Sequence, residues 1–174
     1  RQMIDRAFFH RDVLAVAPDL VGKLLVRTLP GGRVLRLRIT ETEAYAGEGD
    51  TACHASRGRG RRSEMLYQDG GTIFVYLCYG MYWMLNIVTG RADEPQGVLL
   101  RGAEGYDGPG KLTRALGIDG ALNGGDILAC PGLRIEDDGK SAGILAGKRI
   151  GIGYAAEADQ ARLWRFTLKG TDNG

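Results

Sequence analysis

Residues 23–45, Lys23-Leu-Leu-Val-Arg-Thr-Leu-Pro-Gly-Gly-Arg-Val-Leu-Arg-Leu-Arg-Ile-Thr-Glu-Thr-Glu-Ala-Tyr45 (KLLVRTLPGGRVLRLRITETEAY), read as a β-hairpin whose return strand runs into acids. Lys23 to Leu29 forms the first strand, Pro30-Gly31-Gly32 the turn, and Arg33 to Thr42 the second strand. Along that strand Leu35, Leu37 and Ile39 fall on one face, with Arg36 and Arg38 on the other. In the absence of a bulge, Glu41, Glu43 and Tyr45 continue the leucine face. A carboxylate in line with the core is costly unless it is paired, metal-bound or at work. Four acids (Glu41, Glu43, Glu48, Asp50), Tyr45 and one of only two histidines, His54, lie within fourteen residues here.

Working outward, the chain of 174 residues is read as one domain, 1–174, long enough to bury a substantial core. Its 44% hydrophobic and 25% charged residues are those of an ordinary globular protein. No membrane span and no leader are expected. Cys53, Cys78 and Cys130 are odd in number and widely spaced, and read as reduced thiols of a cytoplasmic protein. Net charge is only +2, yet eighteen arginines stand against five lysines. The arginine fork suits phosphate, and Arg57-Gly-Arg-Gly-Arg-Arg62 is either a polyanion contact or a solvated loop. The 28 glycines are scattered without a period, as in a sheet-rich domain with many turns.

Asp12 is an N-cap for a short helix, interrupted near Pro18 and closed by Gly22. The segment Gly71–Gly90 (GTIFVYLCYGMYWMLNIVTG) is the most hydrophobic and reads as a second hairpin, with its tip at Tyr79-Gly80-Met81-Tyr82. Gly97 to Arg101 is a short strand, and Gly108–Gly117 a short helix with Pro109 and Lys111 in its first turn, an arrangement suited to an anion. Further strands are expected at Leu133–Glu136, Lys148–Tyr154 and Leu163–Leu168, the last with Trp164, Phe166 and Leu168 inward. The whole is a mixed α+β domain dominated by antiparallel sheet.

Among chemistries, a serine or cysteine nucleophile finds no base at suitable spacing. The acids with His54 are possible metal ligands, but they match no zincin or EF-hand pattern. A carboxylate general base beside aromatic rings, on a domain prepared for phosphate, fits extraction of a nucleobase and hydrolysis of its bond. A binding module without catalysis and a metal-dependent hydrolase remain as alternatives at this point.

The motifs ETEAY (Glu41–Tyr45), His54 nine residues beyond the tyrosine, VYLCYGMYWMLN (Val75–Asn86), VLLRG (Val98–Gly102), GPGKLTRALGI (Gly108–Ile118) and KRIGIGYAAE (Lys148–Glu157) together resemble the alkyladenine (3-methyladenine) DNA glycosylase family, of the type also found in mammals. The resemblance runs from Phe8 nearly to Phe166. It implies a single α+β domain around a curved, mostly antiparallel sheet with short helices and a protruding β-hairpin. It implies a monofunctional glycosylase of alkylated or deaminated purines that starts base excision repair, acting on double-stranded DNA as a monomer. No cofactor and no metal is implied. The protein would act in the cytoplasm with the chromosomal DNA, or in the nucleus of a eukaryote. Residue by residue, Glu43 matches the general base, and Arg101 and the main-chain carbonyl of Ile150 match groups that position the water. Tyr45, His54 and Tyr76 match the rings of the base pocket, and Asn86 the side chain that crowds it. Tyr79 matches the intercalating wedge, flanked by Met81 and Tyr82, and Lys111 a phosphate contact. Glu41, Glu48 and Asp50 fall back to structural or solvated roles. Departures are the arginine-rich loop at Gly58–Ser63 and the bulk of Trp83. Residues Asn123–Gly147 receive no function.

Overall fold

A computed structural model describes residues 4–170, so the expected span of 1–174 reaches past the described residues at both ends. In chain order the elements are α1 (Arg6–Phe9), α2 (Val13–Leu20), β1 (Leu24–Thr28), β2 (Val34–Tyr45), β3 (Ile73–Cys78), β4 (Tyr82–Thr89), β5 (Gln96–Ala103), β6 (Tyr106–Asp107), α3 (Pro109–Ala115), β7 (Leu133–Glu136), β8 (Ile144–Gly147), α4 (Glu157–Gln160) and β9 (Arg165–Leu168). Every strand pair is antiparallel, in the order β3-β4-β5-β2-β1-β7, with β6 on β5, β9 on β2 and β8 on β9. The sheet curls into a half-barrel, and the α+β class and the two expected hairpins are as read.

The spine is β2. Its first half pairs with β1, and its second half is held between β5 and β9. That second half is buried continuously from Ile39 to Ala44, where both its edges are occupied. The register against β5 slips twice in opposite directions. Ile39 pairs with Ala103 and Glu41 with Gly102, leaving Thr40 over; Thr42 then pairs with Leu100, leaving Arg101 over. Such paired bulges reverse the side-chain alternation and re-aim the extra residues. The expectation that Glu41, Glu43 and Tyr45 share the face of Leu35, Leu37 and Ile39 is therefore corrected. Ala44 joins Ile39 in the main core, and the Thr42 hydroxyl donates to the Ala17 carbonyl of α2 at 2.7 Å. The acids point to the opposite face.

The core face carries α2 and α3. Asp12 caps α2 by accepting the Leu14 amide, and Val13, Val16, Ala17 and Leu20 bury the stripe expected of a helix laid on a sheet. Pro18 does not interrupt this helix. It forfeits one bond near the end, and two further residues place Leu20 in the core. Leu112 and Leu116 of the α3 segment join the same cluster with Ile73, Leu85, Ile87, Val98 and Leu100 of the sheet. Strands β2 and β5 run longer than read. The strand expected over Lys148–Tyr154 is absent: β8 lies just before it, and 148–154 is an irregular loop. There the Arg149 side chain turns into the protein and Gly151 adopts φ 74°, so the segment cannot continue a ladder.

Candidate active site

Ladder partners share a face, and the register places Glu43 opposite Leu99, Leu99 opposite Asn86, and Asn86 opposite Phe74. One transverse row thus carries Glu43, Asn86 and Phe74 on the face away from α2. Glu43 and Asn86 stand two strands apart, about 10 Å by strand spacing, a separation on the scale of a purine. Tyr45, Phe74 and Tyr76 pack there with Cys53, Ala55, Leu66, Tyr67 and Val88 in a second, smaller cluster.

Glu43 is 0% exposed. The Tyr45 hydroxyl donates to its Oε1 at 2.9 Å, and the Ile150 amide donates to its Oε2 at 2.8 Å. Arg101 Nη1 stands 3.7 Å from Oε1. Burial outweighs these three influences and pushes the carboxyl above its ordinary range. The main chain at Ile150 thus reaches Glu43 through its amide, a contact separate from the water-positioning expected of its carbonyl.

The rings around it are held neutral. Burial first, then the Glu43 charge and hydrogen bond, push the Tyr45 hydroxyl well up; burial does the same for Tyr76. The His54 ring lies 4.4 Å from Tyr76, tilted by 51°, and 5.9 Å from Phe74. His54 is exposed as a residue, but stacking withdraws its ring from water, and desolvation with nearby Arg62 lowers its pKa. Asn86 is buried, its Nδ2 donating to the Phe74 and Met84 carbonyls at 3.2 and 3.3 Å.

The β3–β4 hairpin protrudes with Tyr79 at its tip, 86% exposed; Met81 and Tyr82 are exposed beside it. Tyr79 and Gly80 have φ of 53° and 66°, and the Met81 amide donates to the Cys78 carbonyl at 3.1 Å. Positive φ at both central positions is the primed turn that suits a twisted hairpin. A tyrosine there is unusual and strained. The hairpin base is braced by α3: Thr113 Oγ1 donates to the Trp83 carbonyl at 2.8 Å. A Cβ on Gly110 would meet the Tyr82 ring at 2.8 Å, so only glycine lets that ring lie on the helix. Trp83 is absorbed by the core and pairs regularly with Leu77. Lys111 is exposed on α3 and lies 3.6 Å from Asp107, outside the aromatic group.

The other acids are spoken for separately. Glu41 lies between Arg101 at 3.1 Å and Arg165 at 3.4 Å, Glu48 accepts the Tyr67 hydroxyl at 2.8 Å, and Asp50 is bound by Arg149 at 2.6 and 2.9 Å. No group of three or more His, Cys, Asp or Glu among the described residues is arranged for a metal ion. In the arginine loop, Arg59 is an internal strut, tied to Glu64 and Asp93 at 2.7 Å over the Tyr67 ring. Arg57, Arg61 and Arg62 are exposed.

One participant was not foreseen as such. Arg149 is buried with Asp50, donates also to the Ala44 and Asp159 carbonyls, and lies over the Tyr45 and Trp164 rings at 5.0 and 4.9 Å. It pins the 148–154 loop to the end of β2 and thereby sets the Ile150 amide on Glu43. Within KRIGIGYAAE nothing marks that arginine as buried, since its partners come from 44–50 and 159.

A buried carboxylate of raised pKa among neutral rings, on a sheet that also bears a strained aromatic tip, can accept a proton next to a flat substrate. The family model described as methylpurine-DNA glycosylase (MPG) matches residues 7–107 and 104–172, and the chain belongs to that family of hydrolases of the N-glycosidic bond. It is 45% identical over 184 residues to a protein of Methanocella arvoryzae, covering 94% of this chain and 91% of the relative. It is 39% identical over 190 residues to one of Natranaerobius thermophilus and 40% over 197 to one of Clostridium perfringens, each covering 95% of both chains. The names of all three contain the words 3-methyladenine DNA glycosylase.

Proposed function

We propose that this DNA glycosylase draws alkylated or deaminated purines out of duplex DNA and hydrolyses the bond to the sugar with water activated by Glu43. The observation that carries the reading is the buried Glu43 carboxylate, raised in pKa, in one row with Asn86 on the face lined by Tyr45 and Tyr76. A base poised nearer the working pH accepts a proton best.

In this reading Tyr79 enters the gap left by the displaced nucleotide, with Met81 and Tyr82 against the flanking backbone. The purine stacks among Tyr45, Tyr76 and His54, and Asn86 crowds its edge against normal guanine. A purine alkylated on the ring is already cationic, and neutral aromatic faces attract it; the lowered His54 pKa leaves an uncharged imidazole that does not repel it. Water, held with the help of Arg101 and Ile150, attacks C1′ as the glycosidic bond breaks. The bonding pair leaves with the base, the cationic purine departs neutral, and Glu43 takes the proton from the water. The Glu43 charge also stabilises the oxocarbenium-like transition state. Lys111 contributes a phosphate contact.

The test is Glu43→Gln on duplexes carrying one 7-methylguanine. Binding is retained and abasic-site formation falls by at least about a thousandfold, the scale expected of a lost base with electrostatic support. Undiminished base release refutes the role of Glu43.

A further inference from the structure

We propose that Glu41 is a positioning residue: it holds the Arg101 guanidinium back from Glu43 and so preserves Glu43 as a base. The inference rests on Glu43 being the base and goes on to name what sets its strength. Arg101 Nε lies 3.1 Å from Glu41 Oε2, whereas its approach to Glu43 is 3.7 Å, beyond hydrogen-bond reach. The second Glu41 oxygen is 3.4 Å from Arg165 Nη1, and Arg165 Nε donates to the Lys148 carbonyl at 2.8 Å. One face of the sheet therefore carries an alternating chain of charges, Arg165–Glu41–Arg101–Glu43, with both carboxylates buried.

The need for such a tether follows from the chemistry of arginine. Its charge is permanent, and its fork matches a carboxylate in parallel hydrogen bonds. A guanidinium bonded in that way to a buried carboxylate lowers its pKa by roughly 1–3 units and leaves a poor proton acceptor. The bulge that leaves Arg101 unpaired in β5 aims it at both acids, and Glu41 decides between them. The groups that face Glu43 are Tyr45 and Glu41 on its own strand, Arg101 from β5, Arg165 opposite it on β9, Tyr76 from β3, and Arg149, Ile150 and Tyr154 from the 148–154 loop. Arg101 exerts the largest charge effect on Glu43. Arg149, which is buried close by, is occupied by Asp50.

The experiment compares wild type, Glu41→Gln and Glu41→Asp in single-turnover release of 7-methylguanine from a duplex across pH, with thermal melts to establish folding. This lesion needs no protonation to leave, so the acid limb reports the base. Glu41→Gln removes both charge and tether; Glu41→Asp keeps the charge but draws it back from Arg101. Both shift the acid limb to lower pH by about one unit and lower the plateau, because a weaker base remains. Should the Gln variant fail to fold, the Asp variant carries the same expectation. An unmoved limb in the folded variants overturns the proposal, as does a limb that moves for Gln alone, which is charge without tethering. Failure of Glu43 as the base shows elsewhere, as base release surviving in Glu43→Gln.

Discussion

Replacing Arg149 by methionine isolates the strut that assembles the site. The Arg149 and Asp50 side chains are 0% and 1% exposed, and the guanidinium makes two hydrogen bonds to the carboxylate and two to main-chain carbonyls. Methionine preserves much of the bulk and leaves Asp50 buried beside the Ala46 and Ala52 amides, which bond its two oxygens at 3.0 and 3.1 Å. Removing one partner of a buried ion pair costs about 3–5 kcal/mol. The two surviving amides put this case near about 3 kcal/mol within that range. For a chain of this size about 2–4 °C accompanies each kcal/mol, so Tm falls by roughly 6–12 °C. The assay is thermal unfolding followed by circular dichroism, checked by a urea midpoint that moves at constant slope. Adding Asp50→Asn removes the stranded charge and restores part of the loss. Base release by Arg149→Met falls also below the melting range, since the Ile150 amide is no longer fixed on Glu43. A melting point within 2 °C of wild type, on the scale of about 1 kcal/mol or less, refutes the assignment of this pair as the strut.

The buried Glu43 carboxyl is itself a stability liability. The Glu43 carboxyl titrates above 4.5 when folded, so between the two values the folded chain binds more protons, and stability falls as pH rises through that window. Glu43→Gln is free of that loss: at pH 8 it melts above wild type, and the two converge below pH 4.5; a Gln variant that melts lower at pH 8 counts against it. Tyr79→Ser slows release of a well-paired hypoxanthine more than of a mismatched one, because the wedge offsets the cost of unpairing; equal slowing on both excludes a wedge. Lys111→Ala weakens binding to damaged and undamaged duplexes alike and makes the slope of log K against log salt shallower by about 1. An unchanged slope removes Lys111 from the phosphate contacts.

What the chain discloses of itself follows the range of the interactions involved. The two hairpins, α2 and α3 are local, set by alternation, caps and glycines within about ten residues, and they were legible. Tyr79 was noticeable because tyrosine is a poor turn residue wherever it occurs. The paired bulges in β2 and β5 were not, because a bulge is a relation between two strands and leaves no mark in either alone. Glu41 and Asp50 looked alike as surplus acids. Only the fold brings Arg101 and Arg165 to one and Arg149 to the other, across separations of 60 to 124 residues. Lys148–Tyr154 had the composition of a strand, but a buried arginine and a positive-φ glycine overrode its local preference.

The bulges also explain how one short segment serves two purposes. With regular alternation from Leu35, either the acids would enter the helix-covered core or Ile39 would leave it. One extra residue at Thr40 lets Ile39 and then Thr42 and Ala44 all face α2, while Glu41, Glu43 and Tyr45 all face the aromatic side. The compensating residue on β5 is Arg101, the cation those acids need. Compensation restores the register at Leu100, so that β5 still aligns Leu99 with both Glu43 and Asn86. A single regular strand would have offered one acid to the surface or one charge to the core. The doubled irregularity instead places a carboxylate out of water, within reach of a guanidinium, and in line with Asn86 and Phe74. Were Thr40 to pair regularly instead of bulging, with every residue kept, Glu43 would turn toward α2 and Ala44 would leave the core in its place.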